Sequence, residues 1–395
     1  MGKKAKKILI LRPDNLGDII LFSGMLREIR KYYNNSKIII LVKRDFSDYV
    51  KLCPHVDEVL NWEDLLDDIK YSAISNKIVK KISNKKIVDL ISKIVWHIRR
   101  NTKYKSDLLI SPVRSVTGGK DGIHWVVSQL KSKEKIGISG DICRQTTLED
   151  KQAVGIYSKR MHIEKENYWQ HELITHMEYL KYIGVTDGIK NLWPELWQGV
   201  CENVNVEKLM PCNRGAVTIV VCPGSAEAVK NYPVEKYEDI FKSVDAIPNT
   251  KLILLGTKRD AVLCDKIKNS LIGCENITGI YNLAGKTSIL QMMKVVEMSD
   301  LLLTVDTSVA HVGITLKKPT VAIVGGGHYG RFLPWGNDEI LKVSKKVMGC
   351  FYCNWKCVYP EVRCIRDIPA KCVASNINYL LNKQALNNFN EVVNL

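Results

Sequence analysis

Four short apolar runs in the second half of the chain each stop at a glycine, an acid or a small residue, and they constrain the fold more than any other feature. Residues 216–221 (Ala-Val-Thr-Ile-Val-Val) run into Cys222-Pro223-Gly224-Ser225; residues 252–255 stop at Gly256, 301–305 at Asp306, and 320–324 at Gly325. Runs of aliphatic and β-branched residues without polar alternation are strands buried on both faces, as in a parallel sheet covered by helices. The first half repeats the scheme. Residues 7–11 form a run, the turn Arg12-Pro13-Asp14-Asn15-Leu16-Gly17-Asp18 follows, and residues 19–33 carry helical periodicity. Residues 38–42, 56–60 and 108–110 supply further strands, and 169–183 a long helix stopped by Gly184. Strands alternating with helices predict an α/β fold of two doubly wound, Rossmann-like domains facing across a cleft. The expected division is 1–190, a linker over 191–213 containing Pro194, Gly199 and Pro211, and 214–395.

The chain has 395 residues, 46% hydrophobic and 25% charged, which excludes global disorder. No apolar run is long enough to cross a bilayer. The basic first seven residues resemble the start of a secretion signal, but the apolar stretch behind them ends at Arg12. A cytoplasmic protein with reduced thiols is expected. The net charge of +16 favours acidic partners. It is concentrated over residues 70–105, where eleven Lys/Arg accompany one acid, Asp89, and isoleucines recur at helical spacing. This stretch is either a helix with a solvated lysine face or a basic helical insert facing an anionic membrane surface or a phosphorylated glycolipid. Nucleic acid ranks below both, because no RNA- or DNA-binding signature accompanies the charge.

Ligands of open α/β sheets sit beyond the carboxyl ends of the strands, so the turns there hold the candidate chemistry. Asp18 lies where a strand-to-helix turn ends; the helix dipole favours its charged form, suiting either a helix cap or a base. Arg12 and Asn15 share its loop and are candidates for binding an acceptor. In the second half, Ser225 sits in a Pro-Gly-Ser turn and Lys230 five residues on, a set that can hold a phosphate without a metal. Asp306, Thr307 and Ser308 open a helix at the end of a strand, with His311 one turn further along. Gly326 and Gly327 allow close backbone approach to an anion, and Arg331 can pair with its oxygens. Gly285-Lys286-Thr287 imitates the end of a nucleotide-binding P-loop, but Ile280 stands where its first glycine is required. No Asp-x-Asp occurs, so the paired-carboxylate cradle for a metal–diphosphate is missing. Cys350, Cys353, Cys357 and Cys364 can bind zinc as thiolates, but their spacing is not that of a standard ribbon, and packed or free thiols are the default.

With these residues in place, the chain resembles glycosyltransferase family 9, the heptosyltransferase-like group that builds the bacterial lipopolysaccharide core. The likeness covers residues 8–62 and 216–368. It rests on four motifs in order: Arg12-x3-Leu16-Gly17-Asp18, Lys230-x-Tyr232-Pro233, Asn282-Leu283-Ala284-Gly285-Lys286-Thr287-Ser288 and Asp306-Thr307-Ser308-Val309-Ala310-His311.

The resemblance implies the GT-B architecture and metal-independent, inverting transfer from a nucleotide diphosphate sugar, ADP-heptose or similar, to a glycolipid at the inner membrane face. It places the base on Asp18, donor-phosphate contacts on Lys230 and Ser225, and the donor-site lining on Asp306, Thr307, Ser308 and His311. Asp260 is the loosest match, as the acid that holds the donor ribose. The cysteine-rich tail recurs in the group without an assigned role. Gly325-Gly326-Gly327-His328 stands where users of ADP-heptose usually have Gly-Pro-Thr, and the basic insert is unusual; both leave the donor sugar and acceptor open. The alternatives are a nucleotide-sugar epimerase of the same shape and a non-catalytic module that binds glycolipid.

Overall fold

The computed structural model describes residues 5–71, 85–113, 122–139, 153–186, 189, 191–197, 201–202, 204–210, 215–244 and 249–393. Residues 72–84 of the basic stretch and part of the expected linker lie outside them. The chain divides into two units, Met1–Trp193 and Pro194–Leu395.

In the first unit, β1 (Lys7–Arg12), β2 (Lys37–Val42), β3 (Glu58–Asn61), β4 (Ser106–Ile110), β5 (Ser132–Ser139) and β6 (Lys159–His162) form one sheet in the order β3-β2-β1-β4-β5-β6. Every pairing is parallel. Ile8, Leu9, Ile10 and Leu11 of the central strand are wholly buried, because helices cover both faces. The helix Leu16–Tyr32 follows β1 directly and buries Ile19, Ile20, Phe22 and Met25.

The second unit repeats this plan. Strands β7 (Val217–Cys222), β8 (Thr250–Leu254), β9 (Ile277–Asn282), β10 (Leu301–Val305), β11 (Thr320–Ile323) and β12 (Leu341–Ser344) run in the order β12-β11-β10-β7-β8-β9, again all parallel. Counted within each half, both sheets have the order 3-2-1-4-5-6, the doubly wound arrangement whose strand direction of travel reverses between its first and fourth strands. The two reversal points are β1/β4 and β7/β10, so each unit has one place where a ligand crevice opens by construction.

Four strands were not expected from sequence: β5, β6, β9 and β12. Three lie at sheet edges. The fourth, β5, reads Ser-Lys-Glu-Lys-Ile-Gly-Ile-Ser and is buried only over its second half. Strands near an edge have one face or flank in water and lack the continuous apolar run. The helix expected over 169–183 is Glu172–Tyr182, started by His171, whose Nδ1 accepts the Leu173 amide at 3.2 Å.

The described part of the basic stretch contains the helix Lys85–Asn101, which packs on Trp62–Tyr71 in the crossover from β3 to β4. Trp96 lies 6.0 Å from the buried Tyr104 ring, and Arg99 pairs with Asp68, which also accepts the Tyr104 hydroxyl at 2.6 Å. Its other face is uncovered: Ile87, Leu90, Ile94 and Ile98 are 46, 58, 51 and 55% exposed and recur at helical spacing.

Candidate active site

At the first reversal point the loop after β1 is tied down by Arg12. This side chain is 3% exposed. Its Nη1 donates to the Pro112 carbonyl beyond β4 and its Nη2 to the Asp18 carbonyl, both at 3.2 Å. Its Nε lies 3.2 Å from Asp14 Oδ2, and its guanidinium sits over the Phe22 ring. Arg12 thus fastens the loop to β4 and positions its neighbours.

Asn15 is exposed at the helix start, and its amide donates to Asp18 Oδ2 at 3.2 Å, half of a capping box. That bond leaves Asp18 Oδ1 with no hydrogen-bond partner among the described residues. That oxygen, at the end of β1, is placed to accept a hydrogen bond from a ligand hydroxyl.

Sequence reasoning missed two neighbours. Lys43, just beyond β2, donates to Asn15 Oδ1 at 3.0 Å. Asp14 is pushed up to about 6, chiefly by burial and with help from Asp18 and Glu172, against the pull of Arg12 and Lys43. Behind this loop, His176 is held down at about 3 by burial and the Arg12 charge, against Glu172. Asp14 is two residues past β1 and was within reach of sequence reasoning, whereas Lys43 comes to the end of β1 only through the pairing of β1 with β2.

The second reversal point brings Lys230 and Asp306 together. Lys230 Nζ lies 2.9 Å from Asp306 Oδ2 and 4.0 Å from Glu227 Oε2. Burial alone would raise the Asp306 carboxyl, but Lys230, with His311 and His328, holds it below the usual carboxylate range. Thr307 caps the helix Ser308–Thr315 in extended conformation without a side-chain bond across the cap. His311 is buried on that helix; its Nδ1 accepts Trp335 Nε1 at 2.9 Å, which places any single ring proton on Nε2. Arg331 is 2% exposed, over the Phe332 ring, and its charge reaches His328.

Ser225 stands in the turn after β7, where its amide donates to Asn231 Oδ1 at 3.0 Å. Asp260 lies after β8 against two glycines: a Cβ on Gly224 would meet its Oδ1 at 2.3 Å, and one on Gly256 its Cβ at 2.7 Å. Its Oδ2 accepts the amide and hydroxyl of Thr257, both at 2.7 Å. The carboxylate is thereby fixed at the mouth of the sheet, beside the β7 turn.

The glycine run after β11 is packed closely by aromatic rings. A Cβ on Gly326 would meet the Phe351 ring at 2.2 Å and one on Gly327 the Trp355 ring at 2.3 Å. The Gly326 amide donates to Cys364 Sγ at 3.3 Å, while the Gly326 and Gly327 carbonyls accept Tyr352 and Asn354. Gly326 and Gly327 are small because aromatic rings lie on them, and the Gly326 amide is not available to an anion. Cys350, Cys353, Cys357 and Cys364 are free thiols, and burial and neighbouring sulfurs push Cys357 and Cys364 up. Among the described residues no group of three or more His, Cys, Asp or Glu is arranged to hold a metal ion.

Two parallel six-stranded sheets, each doubly wound in the order 3-2-1-4-5-6, are the two Rossmann-like domains of the GT-B fold. Residues 125–353, more than half of the chain, match the model of glycosyltransferase family 9 (heptosyltransferase), and the chain belongs to that family. It is 22% identical over 356 residues to the lipopolysaccharide heptosyltransferase 1 of Campylobacter coli, covering 86% of this chain and 90% of that protein. Among solved structures, the E. coli ADP-heptose lps heptosyltransferase II superposes with a TM-score of 0.68 at 17% identity, covering 96% of this chain and 99% of the other. The E. coli heptosyltransferase WaaC with ADP-2-deoxy-2-fluoro heptose gives 0.60 at 16%, covering 94 and 99%. The family and the fold expected from the motifs are thus borne out. Among the described residues no helix is long and apolar enough to cross a membrane.

Proposed function

We propose that this enzyme transfers a heptose or related sugar, with inversion, from ADP-heptose or a similar nucleotide diphosphate sugar to a hydroxyl of a lipopolysaccharide-core glycolipid. The observation that carries the reading is the Lys230–Asp306 pair at the reversal point of the second sheet, in a chain of this family. An ammonium beside strand-end amides is what a leaving diphosphate needs. The donor specificity is supported by relatives named for ADP-heptose.

In the reaction, Asp18 takes the proton of the acceptor hydroxyl while its oxygen attacks the anomeric carbon. The bond from that carbon to the diphosphate breaks on the opposite face, and the electron pair leaves on the phosphate oxygen. Lys230, the amides near Ser225, Thr307 and Ser308, and the charge of Arg331 stabilise the departing diphosphate. Asp260 receives the ribose hydroxyls through its Oδ1, and His311 lines the donor from the same helix as Ser308. Asn15, with Lys43 behind it, orients the acceptor. No metal takes part in this scheme.

The acceptor is lipid-linked, and the uncovered row Ile87, Leu90, Ile94 and Ile98 on a basic helix suits the inner face of the cytoplasmic membrane. Incubation with ADP-heptose and heptose-deficient lipopolysaccharide core tests the reading: a glycosylated acceptor of inverted anomeric configuration supports it. Sugar that stays on its nucleotide with altered stereochemistry would point to an epimerase. Binding of acceptor without turnover of any nucleotide sugar would leave a glycolipid-binding module.

A further inference from the structure

We infer that Trp355, from the cysteine-rich segment, is a positioning residue for the donor diphosphate: its indole face holds the Lys230 ammonium. The inference rests on the donor reading above and goes beyond it, because nothing in the four family motifs includes this segment.

The ring lies with Lys230 Nζ 5.4 Å from its centroid. Lys230 thus stands between a carboxylate, Asp306, and an aromatic face. The two contacts differ in what they do when a diphosphate arrives. Asp306 competes with the phosphate for the same positive charge, whereas an indole face attracts the cation through its quadrupole without neutralising it. Trp355 can therefore keep the ammonium in place while its charge is transferred to the incoming anion.

The segment is built to hold that ring still. Trp355 Nε1 donates to His328 Nδ1 at 3.3 Å, and His328 Nε2 donates to Asn354 Oδ1 at 2.8 Å. Burial, with Lys230 and Arg331 nearby, holds His328 below its ordinary value against that last bond, so the ring carries the single proton this pattern requires. Gly327 lacks a side chain where the indole rests, and Gly325 leaves room for its far edge. Tyr352, Asn354 and Trp355 have φ of 68, 53 and 59°. Left-handed backbone at a bulky residue costs on the order of 1 kcal/mol or more and persists only where surrounding contacts hold it. Here the Tyr352 and Asn354 amides are fastened to the Gly326 and Gly327 carbonyls at 2.8 and 3.1 Å. Strain at three of four consecutive residues, placed under the phosphate lysine, is what a preorganised site requires and a plain surface loop does not.

The experiment is a double-mutant cycle between Trp355 and Lys230, read by calorimetric titration with ADP and by steady-state kinetics with ADP-heptose. Trp355→Leu should weaken ADP about tenfold and raise KM for the donor with a smaller change in kcat. Trp355→Phe, which keeps an aromatic face but loses the bond to His328, should recover most of the ADP affinity. In a Lys230→Met background, Trp355→Leu should change ADP affinity less than twofold, because the cation it holds is gone. Equal losses in both backgrounds, or a Trp355→Phe variant as weak as Trp355→Leu, would overturn the inference and leave Trp355 a packing residue. Should Lys230→Met itself bind ADP like the unaltered protein, it is the donor role of Lys230 that fails, and the cycle separates that result from failure of the Trp355 role. Melting temperatures of the four proteins identify any variant that has lost its fold, in which case Trp355→Met, which fills the space without an aromatic face, replaces Trp355→Leu in the comparison with Trp355→Phe.

Discussion

Lys230 Nζ and Asp306 Oδ2 meet at 2.9 Å although 76 residues separate them, because β7 and β10 are neighbours at the reversal point of the second sheet. The side chains are 12 and 9% exposed, so each is the other's main compensation for leaving water. Breaking such a pair from one side strands a buried charge and typically costs about 3–5 kcal/mol, whereas removing both partners costs much less. Lys230→Met should therefore lower stability in urea by a few kcal/mol and weaken ADP together with turnover. Lys230→Met with Asp306→Asn should recover most of the stability and none of the ADP affinity. Recovery of both would mean that the pair serves the fold alone.

Asp18 is asked for chemistry and, through its bond with the Asn15 amide, for a helix cap. Asp18→Asn keeps the acceptor oxygen for the cap but cannot take a proton. Its turnover should fall by about 10²–10⁴-fold, while ADP binding and melting temperature stay close to those of the unaltered protein. Asp18→Ala should lose turnover similarly and an additional roughly 0.5–2 kcal/mol of stability with the cap. A fully active Asp18→Asn enzyme would remove Asp18 from the reaction.

His176 gives stability a definite pH dependence. Its folded value of about 3 lies below the ordinary 6.5. The unfolded chain therefore takes up a proton as pH falls through 6.5 while the folded protein resists until about 3. Its contribution is complete above pH 6.5 and is lost with acidification, at up to about 1.4 kcal/mol per pH unit. Asp14, raised from 3.8 to about 6, acts in the opposite sense, favouring the folded state at the acid end of that window and losing its effect as pH rises through 6. The comparison that isolates His176 is urea denaturation of His176→Phe against the unaltered protein at pH 7 and pH 4.5. The variant, which keeps a ring beside Phe22, should lose about 2 kcal/mol less on acidification.

The helix Lys85–Asn101 should bind anionic vesicles through its apolar row more than through its charges. Three of its neighbourhood's cations are already engaged, Lys93 by Asp89 and Arg99 and Lys103 by Asp68. Leu90→Asp with Ile94→Asp should abolish sedimentation with phosphatidylglycerol-containing liposomes at low salt, with the melting temperature unchanged. Glutamine at the lysines of residues 77–86 should weaken it in a salt-dependent way, since each cation near an anionic leaflet contributes about 1 kcal/mol. Unchanged binding by the double aspartate variant would return the helix to a solvated surface.

Much of this was legible in the sequence, and the reason differs by element. The central strands β1, β2, β7 and β10 are buried on both faces and could be read directly. The edge strands β9 and β12 are not, and their apolar positions are too few to announce them. Asp18, Lys230 and Asp306 stood out because each follows a strand that the sequence shows plainly. Trp355 did not, because its partners Lys230, His328 and Gly327 come from other turns, and a tryptophan between cysteines carries no pattern of its own. Gly326 and Gly327 were legible as places of close approach, because a missing side chain marks one, but only the fold shows that a phenyl ring and an indole lie there.

The strand order also sets a timetable for synthesis. β1 pairs with β2 within a few dozen residues, but its other flank waits for β4, whose Leu108 is the partner of Ile8. A ribosome adding about 5–20 residues per second therefore exposes one open edge of a strand with an apolar centre, Ile8–Leu11, for several seconds. Nascent chains halted between residues 42 and 106 should be the aggregation-prone ones, and the basic residues that enter from Lys70 onward add a like charge that keeps neighbouring copies apart while the missing strand arrives.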